Sequence, residues 1–208
     1  MKLSLRYYKT NLLIATILAL ALSIDIGFEL LQSYFDQNTD FILRAPTNAA
    51  IITSLLVLYD RYLWKYRFLN KLINVPNLNG RYVGCIEYEW NGTSEEMVCA
   101  VEIIQSASSI QIQTYFKSEK HENTYSQSLV EDIRYEKEHY SIYFFYFNAG
   151  TTINSHLDCH YGANFLRVIL NEEGSPKKLT GNYFTNRSTQ TRGKIEVNFE
   201  SRKLNHEL

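Results

Sequence analysis

Eight short stretches of alternating apolar and polar residues, all after residue 80, constrain the fold of this chain most. In residues 81–90, RYVGCIEYEW, the apolar side chains fall on every second position, which places them on one face of a β-strand. Turn-forming segments such as Asn91-Gly92 and residues 173–176 separate the stretches. The pattern predicts an antiparallel meander. Its other strands are expected at residues 97–104, 110–117, 123–134, 140–147, 156–170, 179–187 and 193–199.

The number and spacing of these strands favour an all-β, antiparallel, eight-stranded up-and-down minimal β-barrel of lipocalin-like form. Closure leaves no edge strand exposed to aggregation, which favours a barrel over its main rival, a two-sheet sandwich. A barrel of eight strands has either a filled interior or room for one small ligand. We therefore expect residues 76–208 to form a β-barrel that is able to bind a ligand.

The first 75 residues lack this alternation. They contain an apolar run, Leu12–Ile24, at the centre of a mostly apolar stretch over residues 11–31. That length suffices to cross a bilayer as a helix. A second, weaker run covers residues 45–63. The sequence therefore predicts a two-helix transmembrane hairpin and linker over residues 1–75. A cleaved signal peptide and a buried soluble helical hairpin are the alternatives, and the missing small-residue cleavage site disfavours the former.

The charges that flank the two runs predict an orientation. Residues 1–78 carry eight Lys and Arg against five Asp and Glu, whereas residues 79–208 carry thirteen against seventeen. By the positive-inside rule, both ends of a two-span chain would face the cytoplasm of a bacterial inner membrane. The cations that support this are Lys2, Arg6 and Lys9 before the first run, and Arg61, Lys65, Arg67 and Lys71 after the second. The three cysteines would then lie in a reducing compartment.

Two carboxylates, Asp25 and Glu29, lie four residues apart and therefore on one face of the first helix. A carboxylate in or near hydrocarbon is costly and tends to find a protein or water partner. Either these residues mark the far membrane interface, where water solvates them, or they form a face for helix association, self-association or a pore. The polar residues of the second run favour packing against other helices.

Strand direction predicts where a barrel ligand would enter. The odd-numbered strands point away from the membrane linker, so their ends and the starts of the even-numbered strands form one open mouth. Aromatic rings there could stack bases, and a guanidinium could hold a phosphate. The face of the fifth strand is ambiguous, which leaves Tyr143 and Tyr146 out of the expected site. The mouth collects Tyr88, Trp90, Thr114, Phe116, Thr185, Arg187 and Thr191, with Tyr183 one level deeper.

Other chemistry is sparse in the sequence. It contains no glycine-rich phosphate loop before a helix, no metal-spaced cysteine pair and no nucleophile elbow, which predicts neither an enzyme nor a cofactor. His156, Asp158 and His160 alternate in the segment HLDCH, and we interpret them as a solvated outer face in preference to a metal site. The 21 Lys and Arg against 22 Asp and Glu exclude a binder of DNA or RNA polymers by bulk charge.

The arrangement resembles a known family. Two N-terminal helices, a linker ending in LNGRYVG and strands ending in LTGNYFTNRSTQTRGKIEV are similar to the two-transmembrane, β-strand-rich effectors of bacterial CBASS anti-phage operons. The soluble part of those effectors is a STING-like, minimal β-barrel receptor for cyclic dinucleotides. The resemblance, combined with the mouth geometry, assigns ligand contact to Tyr88, Trp90, Tyr183, Thr185, Arg187, Thr191 and Arg192.

The resemblance also implies partners and a mechanism. A nucleotidyltransferase would make the cyclic dinucleotide on infection, and the ligand would promote homo-oligomerisation through the membrane helices. The inner membrane would then lose its integrity. Two other functions remain open from the residues alone: a membrane-tethered, lipocalin-like carrier of an apolar small molecule, and a non-enzymatic scaffold that docks another protein.

Overall fold

A computed structural model describes residues 4–35, 41–66, 68–90, 92–117, 123–150, 158–187 and 190–208. The chain divides into two compact units. The first comprises Met1–Asn74 with the turn Ser106–Ser109, and the second comprises Val75–Gln105 with Ile110–Leu208.

The first unit contains two α-helices, α1 (Thr10–Phe35) and α2 (Phe41–Arg61), and two short 3-10 turns, Leu63–Lys65 and Asn70–Leu72. Among the described residues, only α1 is long and apolar enough to cross a membrane, over Thr10–Leu31. Most side chains of that stretch are exposed.

The expected two-helix transmembrane hairpin is therefore corrected to a single apolar helix followed by a more polar one. The reason lies in the composition of α2, which carries Arg44, Thr47 and Asn48 within its first eight residues and ends in Asp60-Arg61. Charged and amide groups are expensive in hydrocarbon. The orientation that rested on two spans loses its support with the second span.

The second unit is a closed barrel in which each strand pairs antiparallel with the next and β8 pairs with β1. This confirms the eight-stranded antiparallel β-barrel and shows that the two-sheet alternative is wrong. The strands are β1 (Gly80–Trp90), β2 (Thr93–Gln105), β3 (Ile110–Lys117), β4 (Thr124–Glu136), β5 (His139–Asn148), β6 (His160–Leu170), β7 (Pro176–Thr185) and β8 (Arg192–Ser201).

Strand positions agree with the sequence prediction within a few residues, and the differences arise at turns. The β4–β5 hairpin turns on Lys137 and Glu138, with φ of 47° and 66°. Positive φ at both residues between paired strands is typical of a tight hairpin turn that glycine or asparagine usually occupies. Neither residue type is present here, so sequence gives no signal for this turn. The predicted turn at Lys120-His121 and strand residues 156–157 lie outside the described residues.

The barrel interior differs between its two ends. At the end where β1 begins, buried side chains, mainly aliphatic, fill the space between the walls. At the end where β1 finishes, the inward positions carry hydroxyl, aromatic and imidazole groups. The second end is therefore the part of the interior whose side chains can form hydrogen bonds and ring contacts with a ligand. The filled end contains Tyr82, Ile103, Ile112, Ile142, Leu166, Leu179 and Val197.

Candidate functional site

The connection between β7 and β8 is closed by a pair of threonines. Thr185 Oγ1 lies 2.9 Å from Thr191 Oγ1, and the Thr185 backbone N–H donates to the Thr191 carbonyl over 2.9 Å. Both side chains are buried. These bonds bring the two ends of the connection together. Arg187, which lies in the connection two residues after β7, is thereby held near the barrel wall.

The Arg187 guanidinium is held by His160, the first residue of β6. Its Nη2 lies 3.1 Å from His160 Nε2, and His160 Nδ1 lies 3.0 Å from the Asp158 carbonyl oxygen. Because arginine only donates, Nε2 must accept, and we assign the ring proton to Nδ1, which donates to Asp158. The imidazole is therefore neutral. Burial, and secondarily the Arg187 charge, hold the pKa of His160 below its usual value.

Arg187 keeps an unneutralised charge in a half-buried place. Its Nε is buried and has no hydrogen-bond partner among the described residues, and its bond to His160 is to a neutral ring. Burial lowers the pKa of the guanidinium, an effect opposed by the nearby phenols of Tyr146, Tyr183 and Tyr88 and by the Asp158 carboxylate, which forms no ion pair with it in the described structure. A buried donor without an acceptor is costly, so an anion at this position would supply what the protein lacks.

Three tyrosines surround this cation. Tyr146 on β5 is 5% exposed, and burial raises the pKa of its phenol to about 12. Burial also raises the pKa of Tyr183, and secondary contributions come from Tyr146 and Tyr88. The Tyr88 hydroxyl donates to the Glu95 carboxylate over 2.9 Å. At neutral pH all three side chains are protonated phenols, which offer ring faces for stacking. The O–H of Tyr88 is already used in its bond to Glu95.

A glycine makes room for one of these rings. Gly162 on β6 lies opposite Tyr146 on β5, and a β-carbon added there would clash with the Tyr146 phenol and with the Phe184 carbonyl oxygen. The Tyr146 ring also meets the His160 ring edge-on, at a centroid distance of 6.4 Å. Tyr146 thus lies across the inner wall beside the His160–Arg187 pair.

Five of the seven predicted ligand contacts gather at this end of the barrel, namely Tyr88, Tyr183, Thr185, Arg187 and Thr191. Of the other two, Arg192 does not join them. Arg192 is exposed and pairs across the wall with the exposed Phe184. Trp90 ends β1, and its side chain lies outside the described residues. Of the other predicted mouth residues, Thr114 is buried and Phe116 is half-buried.

Sequence reasoning missed His160 and Tyr146. His160 was expected on an outer, solvated face, but it is 5% exposed while Cys159 and Tyr161 are exposed, so that assignment is wrong. The register pairs His160 with Asn148, whose side chain is buried and donates to Ser126. A one-residue change of register would turn every side chain of β6 to the other face, and alternation alone did not fix that register.

One sequence signal does place His160 inside the barrel. It is separated by an even number of residues from Leu166 and Val168, which are buried on the same strand, and therefore lies on the same face. Apolar residues at the opposite parity, such as Phe165 and Ile169, obscure it. His156 lies outside the described residues. No group of histidine, cysteine, aspartate and glutamate side chains suited to a metal ion occurs in the described ranges.

In the first unit, the Asn48 amide on α2 donates to the Asp25 carboxylate on α1. Asp25 therefore has a partner on the neighbouring helix, whereas the Glu29 side chain is exposed in the single chain.

Residues 73–198 match a family model described as "Cap15, cyclic dinucleotide receptor domain". The match covers more than half of the chain, including every strand of the barrel up to most of β8. The matched segment contains His160, Tyr146 and all seven predicted contact residues. No curated protein matches the chain.

Proposed function

The chain belongs to the Cap15 cyclic dinucleotide receptor family, a family of CBASS effectors, and from this premise we propose that it binds its ligand at the Arg187 end of the barrel. The family match establishes the class of ligand. The location within the barrel is our proposal. The observation that carries it is a half-buried guanidinium that forms no ion pair with a described carboxylate and lies beside three tyrosines.

In this proposal a ligand phosphate accepts hydrogen bonds from Arg187, and a base stacks on Tyr88 or Tyr183. Charge-assisted bonds from arginine to phosphate are among the strongest available to a protein, and aromatic stacking adds affinity for any base. Thr185 and Thr191 bond to each other, so their role is to hold the connection that carries Arg187. Trp90 and Arg192 remain candidates for the rim.

We further propose that α1 anchors the chain in the bacterial inner membrane and that the barrel faces the cytosol. The exposed apolar side chains of α1 support the anchor. The cytosolic placement of the barrel rests on its class of ligand, a cyclic dinucleotide, which is made from nucleotides of the cytosol. A cytosolic nucleotidyltransferase would supply the ligand.

The proposed output is homo-oligomerisation followed by loss of membrane integrity. A ligand shifts assembly only if it binds the assembled state better than the free chain. Asp25 and Glu29 are the proposed association face of α1. Asp25 already bonds to Asn48 within the chain, which leaves Glu29 as the carboxylate available to another copy.

Binding is tested with the full chain in detergent by thermal shift. The panel contains cyclic di-AMP, cyclic di-GMP, a mixed purine–pyrimidine cyclic dinucleotide and a fatty acid. A ligand that binds only the folded form raises Tm, by an amount that grows with concentration. We expect at least one cyclic dinucleotide to do so and Arg187→Ala to lose the shift.

Arg167→Ala is the matched control, because it removes an exposed arginine of β6 that pairs with Ser141 of β5, away from the Arg187 end of the barrel. If only the fatty acid raises Tm, the result would favour the lipocalin-like carrier function over cyclic dinucleotide binding. Equal losses in the two arginine variants would contradict the location of the site at Arg187.

A further inference from the structure

We propose that His160 is a positioning residue of the ligand site, which holds the Arg187 guanidinium toward the ligand without neutralising it. This inference rests on the proposed function, since it names the residue that prepares the proposed phosphate contact. His160 itself was interpreted from sequence as an outer-face residue, and nothing in the family description assigns it a role.

The first step is geometric. The His160 ring is bonded at both nitrogens, to Arg187 at 3.1 Å and to the Asp158 carbonyl oxygen at 3.0 Å. Burial and the edge of the Tyr146 ring limit its other motions. An arginine side chain has many rotamers, and fixing one before binding removes an entropic cost from the binding step.

The second step concerns charge. An aspartate or glutamate at position 160 would also accept from Arg187, but it would cancel the positive charge that an anion needs. A neutral imidazole accepts one hydrogen bond and leaves the full charge in place. The buried Arg187 Nε, which has no partner among the residues that the structure describes, remains available as a donor to a phosphate oxygen.

The third step concerns the neighbouring residues. Tyr146 packs against His160, and the absence of a side chain at Gly162 lets the Tyr146 ring lie across the wall. His160 contacts Arg187 and Tyr146, and the Asp158 carbonyl lies at its other nitrogen. The other titratable groups that act on the Arg187 charge are the phenols of Tyr183 and Tyr88 and the Asp158 carboxylate. The Asp158 carboxylate is exposed and forms no ion pair with Arg187 in the described structure, so the direct contact to the guanidinium is left for a ligand phosphate.

The test compares His160→Gln with His160→Phe in the full chain in detergent. The glutamine amide oxygen can replace Nε2 as an acceptor, whereas phenylalanine keeps a ring and removes the acceptor. The probe is the cyclic dinucleotide that gives the wild type its largest Tm increase in the panel above. We expect Kd to rise about tenfold or more in His160→Phe, the equivalent of one charged hydrogen bond. His160→Gln should stay within about threefold of the wild type.

His139→Gln is the matched control, because His139 lies at the start of β5, at the other end of the barrel, and its Kd should equal that of the wild type. Binding by His160→Phe as tight as by the wild type overturns the inference alone. A wild type that binds no cyclic dinucleotide overturns the proposed function and the inference together.

A second measurement needs no ligand and no substitution. In the ligand-free wild type at pH 7.5, ¹⁵N NMR should show the His160 proton on Nδ1 and none on Nε2. A proton on Nε2 would prevent it from accepting from Arg187, and would overturn the inference even if His160→Phe failed to fold.

Discussion

At the scale of single residues, the barrel wall contains a buried ion pair. Arg81 Nη1 lies 2.9 Å from a Glu102 carboxylate oxygen, with side chains 5% and 0% exposed. Glu102 also accepts from the backbone N–H groups of Asn205 and His206, so the C-terminal residues cover the pair. Arg81 has a second, more exposed partner in Glu200.

We expect Glu102→Gln to destabilise the barrel by about 3 kcal/mol, because breaking the buried pair leaves the Arg81 guanidinium with only the half-exposed Glu200 as a counter-charge. Denaturant unfolding of the full chain in detergent measures the change. Glu196→Gln is the matched control, since Glu196 pairs with Lys178 and Lys194 at a more exposed site, where ion pairs contribute little. Similar midpoints for the two variants would contradict this assessment of Glu102.

His160 predicts a pH dependence of stability. Burial and the Arg187 charge lower its pKa in the folded state, whereas the unfolded chain binds the proton near pH 6.5. The unfolded state therefore binds more protons as the pH falls below about 6.5, and this contribution to stability, present above that pH, is lost. Unfolding free energies measured from pH 7.5 to 5 should decline less steeply in His160→Gln. Equal slopes of unfolding free energy against pH in the wild type and His160→Gln would refute this role of His160.

At the scale of elements, α1 is the part of the chain with the composition of a membrane span. Leu18 and Leu22 are exposed on it. Each arginine near the centre of a span costs roughly 3 kcal/mol of insertion free energy on translocon scales. We expect Leu18→Arg combined with Leu22→Arg to move the protein from the membrane fraction to the soluble fraction of a cell lysate. The double alanine variant is the control and should remain in the membrane. Retention of the arginine variant in carbonate-washed membranes would contradict an anchoring role for α1.

Strands were easier to predict than the helical unit. The barrel strands alternate clearly, as in β3, where Ile110, Ile112 and Thr114 are buried and Gln111 is exposed. In β5 both faces are aromatic: Phe144 and Tyr146 are buried while Phe145 is exposed and stacks on Tyr161. Periodicity cannot choose a face when both faces are apolar. That ambiguity concealed Tyr146, and the unknown register of β6 concealed His160.

At the scale of the whole molecule, the proposed coupling between ligand and assembly is measurable. In detergent, light scattering after size exclusion should show a larger mass with a saturating cyclic dinucleotide than without it. Arg187→Ala should keep the ligand-free mass, because the coupling energy comes from binding. Glu29→Leu should bind the ligand but assemble less, if Glu29 is part of the association face. An unchanged wild-type mass at saturation would contradict the mechanism while leaving binding intact.

Sequence alone determined the eight-stranded barrel, the apolar character of α1 and the end of the barrel at which Arg187 and Tyr183 meet. These follow from alternation, turn residues and strand direction, which are properties of local sequence. Tertiary structure alone decided that His160 points inward to hold Arg187, and that Arg192 faces out. Both depend on the register between neighbouring strands, which contacts distant in sequence fix and which a single-residue shift would reverse.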